Sequence, residues 1–596
     1  MNAPFKTDAL PEWRLDDLYA DREDPRIAAD MAEAERLNQE LAKLEGRLVA
    51  TRDRPAELGG IIDRGIELYE QATNAMWGVG AYAALSASVA RDDPAWSKFE
   101  ADLRARSAQI ASLSLFFTLE INKLDDVELE AALRAHKPAQ RWRPWLRRVR
   151  AGRPHELSPD LEKLLLDKAP ATANWSRLSD ETLAKLSARV GGETLTLSEL
   201  LNRMSSPDPA QRKAAAAALS KALADRAPVL ALSLNTLAFE KQVEDRWRKF
   251  SSPAAARHLA NEVDADAVEA LEAAVVDGYA SVSHRYYALK AKALGRTHLD
   301  HWDRNSPLDT APPRTYSWDE ARSVVLESFE ALAPQFAQTA QTFFNQPWID
   351  ARPRPGKQSG AYSHSVTATR HPYVFMNYMG ERRDVLTLAH ELGHAVHQTL
   401  CRPLGTLLAD TPLTLAETAS IFGEGLVFEK LLAEAKPEER RGLLAGKIED
   451  GINTVIRQIA FHRFETRFHA ARLQGELSAD EIGSLWVEVM SESLGPAVRL
   501  DKGYCHYWAY VSHFVHAPFY VYAYAFGDLL VRGLMEKRRE DPKAFAPLYE
   551  KLLAGGGTKT YVEALAAFGL NPREKAFWAA GVKQLERLVD EFEALV

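Results

Sequence analysis

Residues 386–400 read LTLAHELGHAVHQTL, and the run His390-Glu391-Leu392-Gly393-His394 inside them decides how the rest of the chain is read. On a helix, positions i and i+4 share a face, so both imidazoles can approach one metal ion with Glu391 beside it. A third ligand must come from elsewhere. The extended motif H-E-x-x-H-x-x-G-x-x-H requires glycine at 397 and histidine at 400, but this chain has His397 and Leu400, which excludes that class. His397 is instead expected to support the site or pack in the core. The remaining route is a glutamate on a following helix. Downstream, Thr411–Leu432 read TPLTLAETASIFGEGLVFEKLL, an apolar helical pattern with Glu417 and Glu424 seven residues apart on one face. Two carboxylates in such a helix are costly to bury unless paired or bound to metal. Glu417 follows His390 by 27 residues, enough for one turn and an antiparallel return.

The wider chain is built to bury such a centre. Its 596 residues allow several structural units, and 46% apolar with 26% charged residues is globular composition. The net charge, 74 − 83 = −9, has the wrong sign for a protein that tracks phosphates, so nucleic acid is not an expected partner. Two cysteines, Cys401 and Cys505, cannot form a disulfide scaffold and suit a reducing, cytoplasmic compartment. The first residues lack the apolar run of a signal peptide. The most apolar stretch, Phe514–Val531, is interrupted by His516, Pro518 and Asp528, which predicts a buried helix and no membrane span.

Helical periodicity dominates, predicting a mostly α fold. Long patterns cover residues 27–48, 58–90, 93–122, 209–245, 263–292, 317–345, 439–472 and 536–553. Asp24 before Pro25, and Ser317 before Trp318, Asp319 and Glu320, are predicted helix starts. Arg148–Pro159 is expected to be a loop and the Pro-rich Ser306–Thr315 an extended segment. Ser359–Tyr378 carries the β signal, with GAYSHSVT and YVFMNY as two strands that must pack on helices. The glycine run at Gly555 lacks phosphate-loop spacing and is expected to be a turn.

TLAHELGHAVH followed by ETASIFGE resembles the oligoendopeptidase F branch of the thimet-oligopeptidase-like zinc peptidases. The resemblance extends to SGAYS (Ser359–Ser363) and HPYVFMNY before the motif, and to HFVHAPFYVYAYAFG (His513–Gly527) after it. It implies one zinc ion per chain, with His390, His394 and Glu417 as ligands and Glu391 as general base. It also implies a large, two-lobed helical body with a deep channel and a small β-sheet beside the zinc helix. An amino-terminal helical region, residues 1–200, would precede a catalytic domain, residues 201–596.

His513, Tyr520 and Tyr524 fall in the segment that supplies substrate contacts and oxyanion donors in that family. Tyr520 and Tyr524, four apart, can share one helical face, with Tyr522 turned away. Glu424 is expected to orient a zinc histidine through its distal nitrogen. Gly360, Ala361 and Tyr362 are expected to meet the substrate, since an extended strand can pair with a peptide backbone. The expected function is metalloendopeptidase action on oligopeptides. An exopeptidase, or a helical peptide-binding protein with a degenerate motif, is the alternative; an intact Glu391 argues against the latter, because a structural site needs no base.

Overall fold

A computed structural model describes residues 10–308 and 314–596, so half of the Pro-rich segment expected to be extended lies outside the described residues. The described chain is mostly helical, with three small sheets. It divides into two compact units, each drawn from three separate segments. The first comprises Met1–Arg153, Pro313–Ala433 and Lys537–Gly569; the second comprises Pro154–Pro312, Glu434–Glu536 and Leu570–Val596.

In the first unit, Asp24 caps the helix Pro25–Ala42 by accepting the Arg26 N–H, with Pro25 at the first helical position. That helix lies along Pro55–Ser88, a 34-residue helix. Leu37, Leu41, Leu58, Ile62, Ile66, Phe117 and Trp142 form one core here. Trp13, Tyr19, Met31 and Tyr82 form a second with Tyr373 and Phe375, which joins the helices to the sheet. Patterns that read as single helices are broken where capping residues or proline intervene. Residues 93–122 become Pro94–Ser112 and Leu115–Lys123, and Pro334 starts a new helix after Glu330. Arg148 belongs to the helix Arg143–Ala151 and not to a loop, because its guanidinium donates to the Asp410 and Leu407 carbonyls.

The sheet has three strands, β1 (Ile349–Asp350), β2 (Tyr362–His364) and β3 (Tyr373–Phe375), in the order β1-β3-β2. β2 runs antiparallel to β3, with Ser363 opposite Val374; β1 is parallel to β3. β1 is too short to show a two-residue period, and so the sequence did not reveal it. It is anchored by the fully buried Asp350–Lys357 pair, at 2.6 Å, with Arg354 on the same carboxylate. Against β2 and β3 packs α1 (Arg382–Cys401), which is followed by α2 (Leu413–Glu434). They touch at Gly393, where a Cβ would stand 2.7 Å from the Ser420 Cα and closer still to the Ala419 carbonyl.

In the second unit, helices Pro159–Ala184 and Ala227–Trp247 pack together. α3 (Arg457–Arg472) contributes Phe461, Phe464 and Phe468 to a core with Trp486 and Phe514. The sequence did not reveal the hairpin Ser187–Val190/Glu193–Thr196, whose Gly191-Gly192 turn takes φ of 58° and 93°. Phe514–Val531 is not one helix. A short turn, His513–His516, is followed by an irregular stretch, and α4 (Tyr522–Glu540) begins only at Tyr522. Pro518 and the left-handed Phe519, φ 60°, make the break. Among the described residues no helix is long and apolar enough to cross a membrane.

The Gly393 contact yields a direct test. Gly393→Ala overpacks two helix backbones and should cost about 1–3 kcal/mol in urea unfolding. A change within experimental error would mean that α1 and α2 separate freely.

Candidate active site

α1 exposes its functional face because its other side is apolar: Val385, Leu388, Ala389, Leu392, Ala395 and Val396 are buried. His390 and His394, one turn apart, are half-buried, with ring centroids 5.0 Å apart and planes at 80°. From α2, Glu417 presents Oε2 at 3.5 Å from both His390 Nε2 and His394 Nε2. Among the described residues these three form the one group able to hold a metal ion, with donor atoms all within 4.8 Å of one another. Donors about 2.0–2.2 Å from one tetrahedral ion lie about 3.3–3.5 Å apart, so the His–Glu spacings fit zinc. The Ser420 hydroxyl donates to Glu417 Oε2 at 2.8 Å and fixes its rotamer. Sequence reading missed Ser420, although its i+3 spacing from Glu417 is a helical-neighbour signal.

Two turns along α2 from Glu417, Glu424 Oε2 lies 3.5 Å from His390 Nδ1, the nitrogen remote from Glu417. Burial lowers the pKa of His390, but Glu424, with Glu391 and Glu417, outweighs it and the net shift is upward. Burial takes His394 down to about 4, against the opposing pull of Glu417 and of a hydrogen bond to the Ala416 backbone. His397 is fully enclosed, also pushed down to about 4 by burial, and its donors are not among the converging three.

Glu391 points to the sheet side of α1 and is buried. Burial pushes its carboxyl up to about 7; His390 and the Ser363 backbone amide pull it down, while Glu417 adds to the rise. Ser363 is therefore a further neighbour of the site. Its carbonyl accepts Gln398 Nε2 at 3.3 Å, and its hydroxyl donates to Gln398 Oε1 at 2.8 Å. This double bond ties β2 to α1. β2 is an edge strand, and Gly360, just before it, adopts φ 92°. Asn377 Nδ2 donates to the Gly360 carbonyl at 3.3 Å. The Tyr362 side chain turns inward, stacking on Phe375 at 4.8 Å and donating to Ser88 Oγ at 2.7 Å.

His513, Tyr520 and Tyr524 lie together in the second unit. His513 Nε2 and the Tyr524 hydroxyl are 3.1 Å apart, the Tyr520 ring stacks on His513 at 6.0 Å, and the two tyrosine rings are 5.5 Å apart. They do not share a helical face, because Tyr520 precedes α4; the turn at Phe519 brings them together instead. The Tyr522 phenol points away, to His258 Nδ1 and Asn261 Nδ2, both at 3.0 Å.

A helical body in which a His-Glu-x-x-His helix meets a glutamate from the next helix defines a metallopeptidase. Residues 202–584 match the model of peptidase family M3, and residues 120–187 that of Oligopeptidase F. The chain belongs to peptidase family M3. It is similar to Oligopeptidase PepF of Bacillus subtilis (strain 168), 24% identical over 606 residues that cover 98% of this chain and 87% of the relative. Oligoendopeptidase F, chromosomal, of Lactococcus lactis subsp. cremoris is 29% identical over 316 residues, 52% of each chain. The fold is that of the crystal structure of oligoendopeptidase-F from Enterococcus faecium, with a TM-score of 0.71 at 20% identity over 96% of this chain and 99% of that one.

The two glutamates of α2 should separate by metal analysis. Glu417→Ala removes one of three converging donors and should empty the site at stoichiometric metal. Glu424→Ala should weaken metal affinity or activity by about 10–100-fold. The opposite ranking would exchange their roles.

Proposed function

We propose that the protein is a zinc-dependent endopeptidase that cleaves internal bonds of short oligopeptides. The observation that carries this reading is the convergence of His390 Nε2, His394 Nε2 and Glu417 Oε2, with Glu391 on the same helix. In this reading those three residues hold the ion, and Glu424 orients His390 by accepting from Nδ1. When bound, zinc supplies Lewis acidity, which lowers the pKa of water towards neutrality and polarises a carbonyl.

The chain's own groups do the rest. Glu391 accepts a proton from the attacking water on its carboxylate and returns it to the leaving amine nitrogen. A cation held by its neighbours favours the ionised carboxylate that this role needs, against the upward push of burial. Tyr520 or Tyr524 donates its phenolic O–H to the developing oxyanion, and His513 contacts the substrate. β2 offers a backbone edge to an extended peptide. The Ser363 carbonyl, held by Gln398, faces away from β3, and two-residue alternation turns the backbone of Ala361 the same way. Gly360 supplies the turn that opens this edge, and Tyr362 supports it from behind.

Matches on either side of residues 188–201 support an amino-terminal helical region, 1–200, before a catalytic domain, 201–596. Two free thiols support a cytoplasmic address.

The decisive experiment combines metal analysis with a peptide blocked at both ends and internally quenched. Cleavage between the blocks, lost on chelation and restored by zinc, is expected. Cleavage of unblocked peptides alone would make the enzyme an exopeptidase, and none at all would make it a binder. Glu391→Gln should keep its metal and lose about 10²–10⁴ in kcat. Near-normal turnover would exclude Glu391 as the base. Of Tyr520→Phe and Tyr524→Phe, at least one should cost about 10²–10³ in kcat with KM little changed. Full turnover in both and in the double variant would retire the phenols from catalysis.

A further inference from the structure

We propose that Glu465 is a positioning residue for the tyrosine cluster: by accepting the Phe519 N–H, it fixes the left-handed turn that sets Tyr520 and Tyr524 against His513. The inference rests on the assignment of one of these phenols as oxyanion donor.

The turn is an unusual piece of backbone. Phe519 is 1% exposed and takes φ 60°, a region that bulky L side chains disfavour. Such a conformation persists only where the surroundings hold it. Here they do so from three directions. Glu465, on α3, accepts the Phe519 N–H at Oε1, 2.7 Å away. Arg257 Nε donates to the preceding carbonyl, Pro518 O, at 3.2 Å, and its guanidinium lies 5.6 Å from the Tyr520 ring centre. The His462 and His469 rings flank the Phe519 ring at 5.8 and 4.9 Å. Beyond the turn, the Tyr520 N–H donates to the Ala517 carbonyl at 3.0 Å, and the anchored Tyr522 phenol starts α4.

Glu465 is the costly member of this set. It is 2% exposed, and its Oε2 has no hydrogen-bond partner. Buried carboxyl groups with half their valence unused are rare and call for a reason. Packing alone would be served as well by an aliphatic side chain of that size. Burial pushes the group up to about 8, against the pull of the Phe519 amide, Arg257 and Lys241. Both histidines are pushed down to about 3 by burial and stay neutral beside it. Neutral or ionised, the carboxyl still accepts at Oε1, so the hold on Phe519 survives either state. What the acceptor controls is the direction in which the chain leaves Phe519, and Tyr520 is the next residue.

The test uses the full-length, zinc-loaded enzyme and a blocked quenched peptide. Glu465→Leu keeps the volume and removes the acceptor; it should lower kcat about 10–100-fold, as a misplaced group does, with KM and metal content little changed. Glu465→Gln retains a carbonyl acceptor and should restore most of the turnover. In the background of whichever Tyr→Phe variant costs turnover, Glu465→Leu should add less than about threefold, since its effect runs through that phenol. Equal losses in both backgrounds, or full kcat in Glu465→Leu, would overturn the proposal. Silent Tyr520→Phe and Tyr524→Phe variants would remove the oxyanion reading and the positioning role with it. Should Glu465→Leu lower the Tm sharply, Arg257→Met probes the same turn from the Pro518 carbonyl and should show the same kcat loss and the same non-additivity.

Discussion

The close approach of α1 and α2 at Gly393 is the constraint on which the site depends. Glu417 can reach both imidazoles only if the two helix backbones come nearer than side chains normally allow, and Gly393 removes the atom that would keep them apart. Gly423 does the same from the other helix, where a Cβ would stand 3.1 Å from the Ala389 carbonyl. The two glycines bracket the contact, one on each helix, and the donors project from its rim. Ser420, whose Cα faces Gly393, places its hydroxyl on Glu417. Packing and coordination geometry are thus one arrangement.

Charge follows from that packing. Three carboxylates, Glu391, Glu417 and Glu424, surround two imidazoles, and burial works against the ionised forms of His390, Glu391 and His394. Their environments differ enough to divide their work. Glu417 faces the Nε2 nitrogens, Glu424 faces Nδ1 of His390, and Glu391 lies against the sheet, where the Ser363 amide is its neighbour.

Much of this was legible in the sequence. The five-residue motif, Glu417 and Glu424 depend on helical spacing, which survives in any helix, and the caps at Asp24 and Ser317 depend on local hydrogen bonds. The illegible parts are non-local. Gly393 read as filler within the motif because its role is a contact with residues 419 and 420. The strand Ile349–Asp350 exists because β3 pairs with it and Lys357 neutralises it. The break at Phe519 is the sharpest case. Apolar and aromatic periodicity through Phe514–Val531 pointed to one continuous helix, but the chain turns at Phe519, whose N–H is bound by Glu465, 54 residues earlier. Pro518 was visible, but its consequence for Tyr520 was not.

The two units are interleaved along the chain, each closed by a segment near the carboxyl terminus: Lys537–Gly569 for the first, Leu570–Val596 for the second. During synthesis, the first unit waits for residues 537–569 and the second for residues 570–596. The three converging donors are the opposite case, since His390, His394 and Glu417 lie within 28 consecutive residues, on two helices joined by the short connection 402–412. Their contacts close a short loop, which forms quickly and at little entropic cost. A helical hairpin carrying the donors can therefore exist on a chain whose enclosing unit still lacks its last segment. An ion captured by such a hairpin would hold it together while the remainder is made.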